Sequence, residues 1–404
     1  MKVLIIHNKY TEHGGEDEVV RAESTMLKKH GHEVFLYERS NAEFVHMGQA
    51  SKLRFVLRDI YWSEDVYRSL RAMITKHAPD IAHVHNIFFM ATSSVYDACY
   101  DERLPIVQTM HNYRFFCING LFFRDGAPCE ACLRQGITQG IIHKCWRGSY
   151  LASYVAVNIL SDYSKRRIFD KVSCFIALSR FSMDKFLNAG IPKERLYLKP
   201  NYIADRKMPR TSAGDYALFI GRLADYKGIR TVIDAFKICR DCNLKIIGSG
   251  PLAGYVKKEA MASPNIEFIG PLVFEKAMEY LANAACLISA STCYETFGRT
   301  VVEAYALGVP VLVSNGGALE ELVLDGKTGY IFERGNSNQL AEKVSGLFKH
   351  KDLAETMGHA ARKAYEDSYT EELNYARLMD VYMQAISNVP AGITVGKIRR
   401  TYEA

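Results

Sequence analysis

Nowhere in its 404 residues does the chain carry an apolar run approaching the length of about eighteen that a membrane-crossing helix needs, so no spanning helix is expected. Its start, Met1-Lys2-Val3-Leu4-Ile5-Ile6-His7, is too short and too soon polar for a signal peptide and reads as a first strand. The expected location is the cytoplasm, with peripheral contact at the inner face of the membrane as an open addition. There the ten cysteines stay mostly reduced. A nucleic-acid-binding motif is also missing, so nucleic acid is not an expected partner. The second half lacks any charge excess: residues 201–404 hold 24 basic and 24 acidic residues, whereas residues 1–200 hold 27 and 21. The whole net charge of +6 therefore belongs to the first half. That suits an anionic partner met there, a membrane surface or a phosphorylated acceptor, although a charge of this size also serves solubility alone.

What is present fits a soluble globular protein, 48% hydrophobic and 24% charged, too long for one ordinary core. In the first half strand-length runs (2–7, 33–37, 81–85, 106–110, 172–178) alternate with helical periodicity (16–30, 182–189). A polar, breaker-rich stretch at 204–214 marks a boundary, and the pattern restarts with strands at 216–220, 244–247, 266–269, 286–290 and 309–313. Helices are expected at 229–239, 276–283 and 299–307. The expected fold class is α/β, with two facing Rossmann-like doubly wound domains and a cleft between them. The first spans 1–203, with a Cys-rich insertion at about 115–147; the second spans 204–375; a helical tail, 376–404, crosses back to the first. Between Ser51 and Thr75, Leu53, Val56, Leu57, Ile60, Val66, Leu70, Met73 and Ile74 fall at helical spacing, interleaved with Arg54, Arg58, Arg68 and Arg71. Such a basic amphipathic helix lies in a membrane interface or packs on its own sheet.

Several strand ends carry chemistry. Glu295 lies in a strand-to-helix loop and Glu303 about two turns into the helix, with Gly298 at the first turn, where free N–H groups favour a phosphate. Taken alone, the two glutamates read more readily as solvated residues of an amphipathic helix than as a site. Gly221-Arg222-Leu223-Ala224-Asp225-Tyr226-Lys227-Gly228 places two cations five residues apart after a strand, which suits a diphosphate. Ile247-Gly248-Ser249-Gly250 lets a ligand or a backbone approach closely. Gly14-Gly15 opens the first helix, and His111 and His85 each follow a buried strand, as cleft groups or as satisfied structural histidines.

Cys117, Cys129, Cys132 and Cys145 form a CxxC pair with two flanking cysteines, a pattern that builds a tetrahedral zinc site. The segment between them has few core residues, so a structural zinc would staple it. Disulfides or four plain thiols are the other readings.

In this order along the chain, Gly14-Gly15, His111, Gly221-Arg222-Leu223 with Lys227-Gly228, Ile247-Gly248-Ser249-Gly250-Pro251, Glu295-(seven)-Glu303-Ala304, Gly308-Val309-Pro310-Val311, Gly316-Gly317 with Glu320-Glu321, and Asp325-Gly326-Lys327-Thr328-Gly329 resemble family 4 of the retaining GT-B glycosyltransferases. Cys293-Tyr294 before Glu295 and Thr300 after Arg299 depart from the usual pattern. The resemblance implies a nucleotide-diphosphate-sugar donor and a glycan or lipid-linked acceptor. It gives catalytic roles to His111, Glu295, Arg222 and Lys227. Donor binding falls to Gly15, Gly248, Phe297, Gly298, Arg299 and Glu303. Arg222 and Lys227 hold the diphosphate, Glu295 the sugar hydroxyls and Glu303 the ribose, so the chemistry requires no cofactor. A nucleotide-sugar-binding regulator without transfer activity is the non-enzymatic alternative.

Overall fold

In the computed structural model, which describes residues 1–11, 14–207 and 214–387, the chain builds two six-stranded sheets. The first contains β1 (Lys2–Lys9), β2 (Glu33–Ser40), β3 (Ile81–Asn86) and β4 (Ile106–Thr109). After a two-strand hairpin, β5 (Phe123–Arg124) and β6 (Ala127–Pro128), the sheet is completed by β7 (Cys174–Ala177) and β8 (Leu196–Leu198). All its neighbours pair in parallel, in the order β2-β1-β3-β4-β7-β8. Runs such as Val3-Leu4-Ile5-Ile6 are wholly buried because helices cover both faces of a parallel sheet.

The second sheet repeats the plan with β9 (Tyr216–Ile220), β10 (Asn243–Ile247), β11 (Ile266–Gly270), β12 (Cys286–Ser289), β13 (Val311–Ser314) and β14 (Gly329–Phe332), in the order β11-β10-β9-β12-β13-β14. Strand order reverses direction between β9 and β12, which pair directly. A crevice opens at such a switch point beyond the carboxyl ends of the strands. The loops leaving β9 and β12 are those that carry Arg222, Lys227 and Glu295. β1 and β3 form the matching point in the first sheet.

The boundary stretch 204–214 falls partly on 208–213, outside the described residues, as does the tail beyond 387. Helix Glu371–Ser387 packs on β4, β7 and helix Gly15–Lys29 of the first sheet. Tyr382 on this helix is fully buried, and its hydroxyl meets His83 Nδ1 at 2.8 Å.

The run 51–75 is not one helix. It divides into Gln49–Arg54, a π-turn over Phe55–Asp59, and Glu64–His77, whose first turn is capped by Ser63 Oγ accepting from Val66 N. Val66, Leu70 and Ile74 bury one face, while Leu53 and Leu57 stay exposed. The split follows from the Tyr61-Trp62-Ser63 corner: the Ser63 backbone N–H donates to Ser94 Oγ, and the Trp62 indole donates to Asp97.

Candidate active site

Two short turns place the charges. Gly228 has φ +70°, and a Cβ there would lie 1.9 Å from the Ala290 carbonyl oxygen at the end of β12. The backbone can fold this tightly only with glycine. The result is that Lys227 Nζ donates to Glu295 Oε1 at 2.6 Å, although the two are 68 residues apart in sequence. Ser291 Oγ donates to the same oxygen at 2.5 Å. Burial alone would lower the Lys227 pKa; the Glu295 carboxylate overrides it and holds the ammonium above its ordinary range.

Gly248 is required for a different contact. Its Cβ would sit 1.9 Å from the Gly221 carbonyl oxygen, so the glycine lets the β10 turn pack on the Arg222 loop. That turn does not line the cleft; it backs the loop that Arg222 occupies.

The cleft between the two sheets encloses about 970 Å³. Arg222, Lys227, Glu295, Phe297, Gly298 and Arg299 line its second-sheet wall. Gly15 and His111 face them from the first sheet. Nothing lies within 4 Å of the position a Gly15 side chain would take, so the mouth of that helix is open toward the cleft. Eight of the ten expected catalytic and donor residues thus converge, all but Gly248 and Glu303. Glu303 is buried behind the wall, where its carboxylate meets Arg299 Nε at 3.0 Å. Burial raises the Glu303 carboxyl to about 7 against the opposing pull of Arg299.

The walls are also tied to each other. Thr296 Oγ1 donates to the His111 carbonyl at 2.7 Å, Ser179 Oγ donates to the Thr296 carbonyl at 2.9 Å, and Arg299 Nη1 donates to the Gly15 carbonyl at 3.3 Å. Glu321 accepts the backbone N–H groups of Arg180 and Phe181 at the start of helix Arg180–Asn188, each at 2.9 Å. A carboxylate at a helix N-terminus satisfies donors that the helix itself cannot.

His111 forms part of the cleft lining through a ring backed by a buried chain of groups. Its Nε2 and His85 Nδ1 are 2.9 Å apart, and His85 Nε2 lies 3.5 Å from Glu23 Oε2. The other Glu23 oxygen accepts from Lys199 Nζ at 2.5 Å, both side chains being fully buried. Burial pulls the His111 imidazole down to about 3, with Glu23 opposing, so the ring is neutral at pH 7 and offers a hydrogen bond without a charge. His85 is not a cleft residue; it is the support behind His111.

Glu16, Asn112 and Arg114 are cleft residues to which the sequence pattern gave no role. Glu16 lines the cleft on the first-sheet side, accepts from Asn112 Nδ2 at 2.8 Å through Oε1, and leaves Oε2 buried without a partner. Burial raises its pKa above the ordinary carboxylate range. Arg114 stacks between Phe88 and Trp146, 4.6 Å from each ring centre, and keeps Nε and Nη1 buried without partners. Asn112 and Arg114 follow His111 directly, and that adjacency was the one available signal.

The four cysteines of the insertion line a separate small cavity beside the cleft. Among the described residues, the metal-type side chains that converge within 4.8 Å of one another are Glu23, His83 and His85 rather than the cysteines. The Lys199 ammonium already occupies that carboxylate, which argues against a cation there.

Residues 13–206 match the family model described as Glycosyltransferase Family 4, and residues 204–364 match Glycosyl transferases group 1. The chain belongs to the family 4 glycosyltransferases. It is 29% identical over 273 residues to an uncharacterized glycosyltransferase of Methanocaldococcus jannaschii, covering 65% of this chain and 70% of that one. It is 28% identical to a capsular polysaccharide biosynthesis glycosyltransferase of Staphylococcus aureus over 48% of this chain and 52% of the relative, about half of its length. Anabaena HepE, crystallised with UDP, superposes with a TM-score of 0.64 at 17% identity, covering 95% of this chain and 100% of that one. The fold of this glycosyltransferase is thus GT-B. No helix among its described residues is long and apolar enough to cross a membrane.

Proposed function

We propose that this glycosyltransferase moves a sugar from a nucleotide-diphosphate donor to a growing, lipid-linked glycan of polysaccharide or O-antigen type, with retention of configuration. The observation that carries the reading is the meeting of Arg222, Lys227 and Glu295 at one switch point, facing Gly15 and His111 across the cleft. Lys227 spends one of its three protons on Glu295 and keeps two for a diphosphate. Arg222 adds a planar fork for the same group. Glu295 and neutral His111 hold the donor-sugar hydroxyls. The backbone from Phe297 to Arg299 faces the phosphates, and Glu303, held behind the wall by Arg299, takes the ribose when that side chain gives way. The relatives' printed activities, one in capsular polysaccharide biosynthesis and one structure holding UDP, support the donor class and the glycan product.

In the transfer step the bond from the anomeric carbon to the phosphate oxygen breaks, and the acceptor oxygen bonds to the same face. The acceptor proton passes to the departing phosphate oxygen. Negative charge grows on the diphosphate as this happens, and Arg222 and Lys227 stabilise it in place. No cofactor is required for this step.

On the acceptor side, the partnerless Arg114 N–H groups and nearby Lys52 and Arg147 favour an anion, the phosphate that joins a glycan to its lipid carrier. Exposed Val45, Leu53 and Leu57 beside Lys52, Arg54 and Arg58 suit contact with an anionic membrane surface.

NMR of the anomeric signal in the product tests the stereochemistry. The expected product has the donor's configuration. An inverted product overturns retention and assigns Glu16, the cleft carboxyl of raised pKa, as a general base instead.

Donor affinity should depend on pH. The Glu303 carboxyl, raised to about 7, ionises as pH climbs from about 6 to about 8 and becomes the better acceptor for ribose hydroxyls. Over that interval affinity for the nucleotide is expected to rise by up to about tenfold. Stability moves the other way: a carboxyl raised above its unfolded value contributes most at pH below the ordinary carboxylate range, and the contribution is lost as pH passes about 7. His111 titrates far below this window. Calorimetric titration of the wild type and Glu303→Gln checks the assignment, since the variant should show a flat profile.

A further inference from the structure

We propose that the insertion after β4 is a structural zinc site with Cys117, Cys129, Cys132 and Cys145 as its four ligands. All four side chains line one cavity of about 10 Å³, roughly the space of a single water-sized sphere. None of the four is in a disulfide. Cys117 is buried, and the other three are half-buried.

The local backbone brings them there. β5 and β6 pair as a tight hairpin across Asp125 and Gly126, both at positive φ, as a two-residue turn requires. The hairpin returns the chain so that Cys129 N donates to the Phe122 carbonyl at 2.7 Å. A single helical turn, Ala131–Arg134, then presents Cys132. A second, Gln139–Ile142, leads to Cys145, whose N–H donates to the Gly140 carbonyl at 2.9 Å. Cys117 sits at the end of the turn that begins at Tyr113.

A segment built from two-residue strands and four-residue helices buries little on its own, so it gains most from a cross-link that joins distant points. Thiolates select a soft divalent ion, and the absence of a histidine from the cavity lining makes this a closed four-sulfur set. Four thiolates around zinc carry a net charge of −2, and Arg124 lines the same cavity. Zinc requires sulfurs about 2.3 Å from the ion, which is tighter than their present spacing, so the proposal requires the four side chains to rotate toward the shared void on binding. The site also has a consequence for the cleft. Cys145 lines both cavities, and Asn119, Gly120, Leu121 and Trp146 form part of the cleft wall, so the metal would fix the wall beside Arg114.

The test is metal analysis of the full-length protein, expressed in zinc-supplemented medium and purified without chelator. One zinc per chain is expected, released when a mercurial reagent titrates four thiols. Cys129→Ser and Cys132→Ser should each lower bound zinc at least about tenfold. His85→Ala should keep it. The proposal is overturned by a wild-type content below about one tenth of an equivalent. Iron–sulfur absorption in place of zinc would also overturn it, as would loss of the metal on His85→Ala. If the serine variants do not fold, wild-type stoichiometry and the number of thiols titrated per zinc released still decide the matter.

Discussion

Lys227→Ala is expected to lower kcat/KM for transfer by about a thousandfold, with the circular dichroism spectrum unchanged. Departure of a nucleoside diphosphate would concentrate negative charge in the cleft, where a cation already in position stabilises it. Lys227 is held ionised by Glu295 at 2.6 Å, so its positive charge is already in position before the bond breaks. Removing the ammonium also frees Glu295, which retains Ser291 as a hydrogen-bond donor but loses its counter-charge. The two side chains act as one unit. Glu295→Ala and the double variant should therefore cost about as much as Lys227→Ala rather than the product of both. Steady-state kinetics of the three variants checks this, and near-normal turnover in any of them contradicts the assigned roles.

Glu23→Ala is expected to destabilise the fold by about 3–5 kcal/mol, because it strands the fully buried Lys199 ammonium. Urea unfolding measures this directly. Burial alone would raise the Glu23 pKa, but Lys199 and His85 outweigh it and the net shift is downward. A carboxylate depressed in the folded state contributes stability above its unfolded pKa and loses it as pH falls through the folded value. The wild type should accordingly lose stability in acid, and Glu23→Ala should lose less over the same range. His111 depends on the same chain of contacts through His85, so the variant should also weaken transfer. Glu23→Leu with Lys199→Met removes both charges together and should recover much of the lost stability without restoring His111's support.

The legible parts of the fold were those in which the local pattern and the final environment agree. β9 is the run Tyr216–Ile220 expected from its apolar residues, because a central parallel strand is buried on both faces. Helix Arg299–Ala306 starts where the Gly298 signal placed it. Helix Tyr150–Lys165 was not anticipated. Its apolar residues run round much of the cylinder, leaving Tyr150, Leu151 and Tyr154 exposed while Ala156, Val157, Ile159 and Leu160 are buried, so no clean stripe stands out. β14 is four residues long and opens on Gly329, too little pattern to separate from a loop.

Within the site, residues anchored by their own loop were readable: Arg222, Lys227, Glu295 and His111 each follow a strand end. Glu16 was not, since its burial depends on Asn112, 96 residues away. Glu303 was readable as a residue but not as a buried one. Its position behind Arg299, and the raised pKa that follows, depend on packing around the helix. The 51–75 segment shows the opposite failure. Its spacing continues without a break, while Ser63 and Ser94, 31 residues apart, end the helix through a hydrogen bond no periodicity contains.

The second-sheet switch point is proposed to bind a nucleotide-diphosphate sugar through Arg222 and Lys227. Calorimetric titration of the intact chain with UDP-, GDP- and ADP-sugars, repeated on Arg222→Ala and Lys227→Ala, tests it most directly. At least one donor is expected to bind the wild type, and either substitution is expected to weaken that binding by at least about tenfold. Failure of every nucleotide sugar to bind, or equal binding by both variants and the wild type, would contradict it.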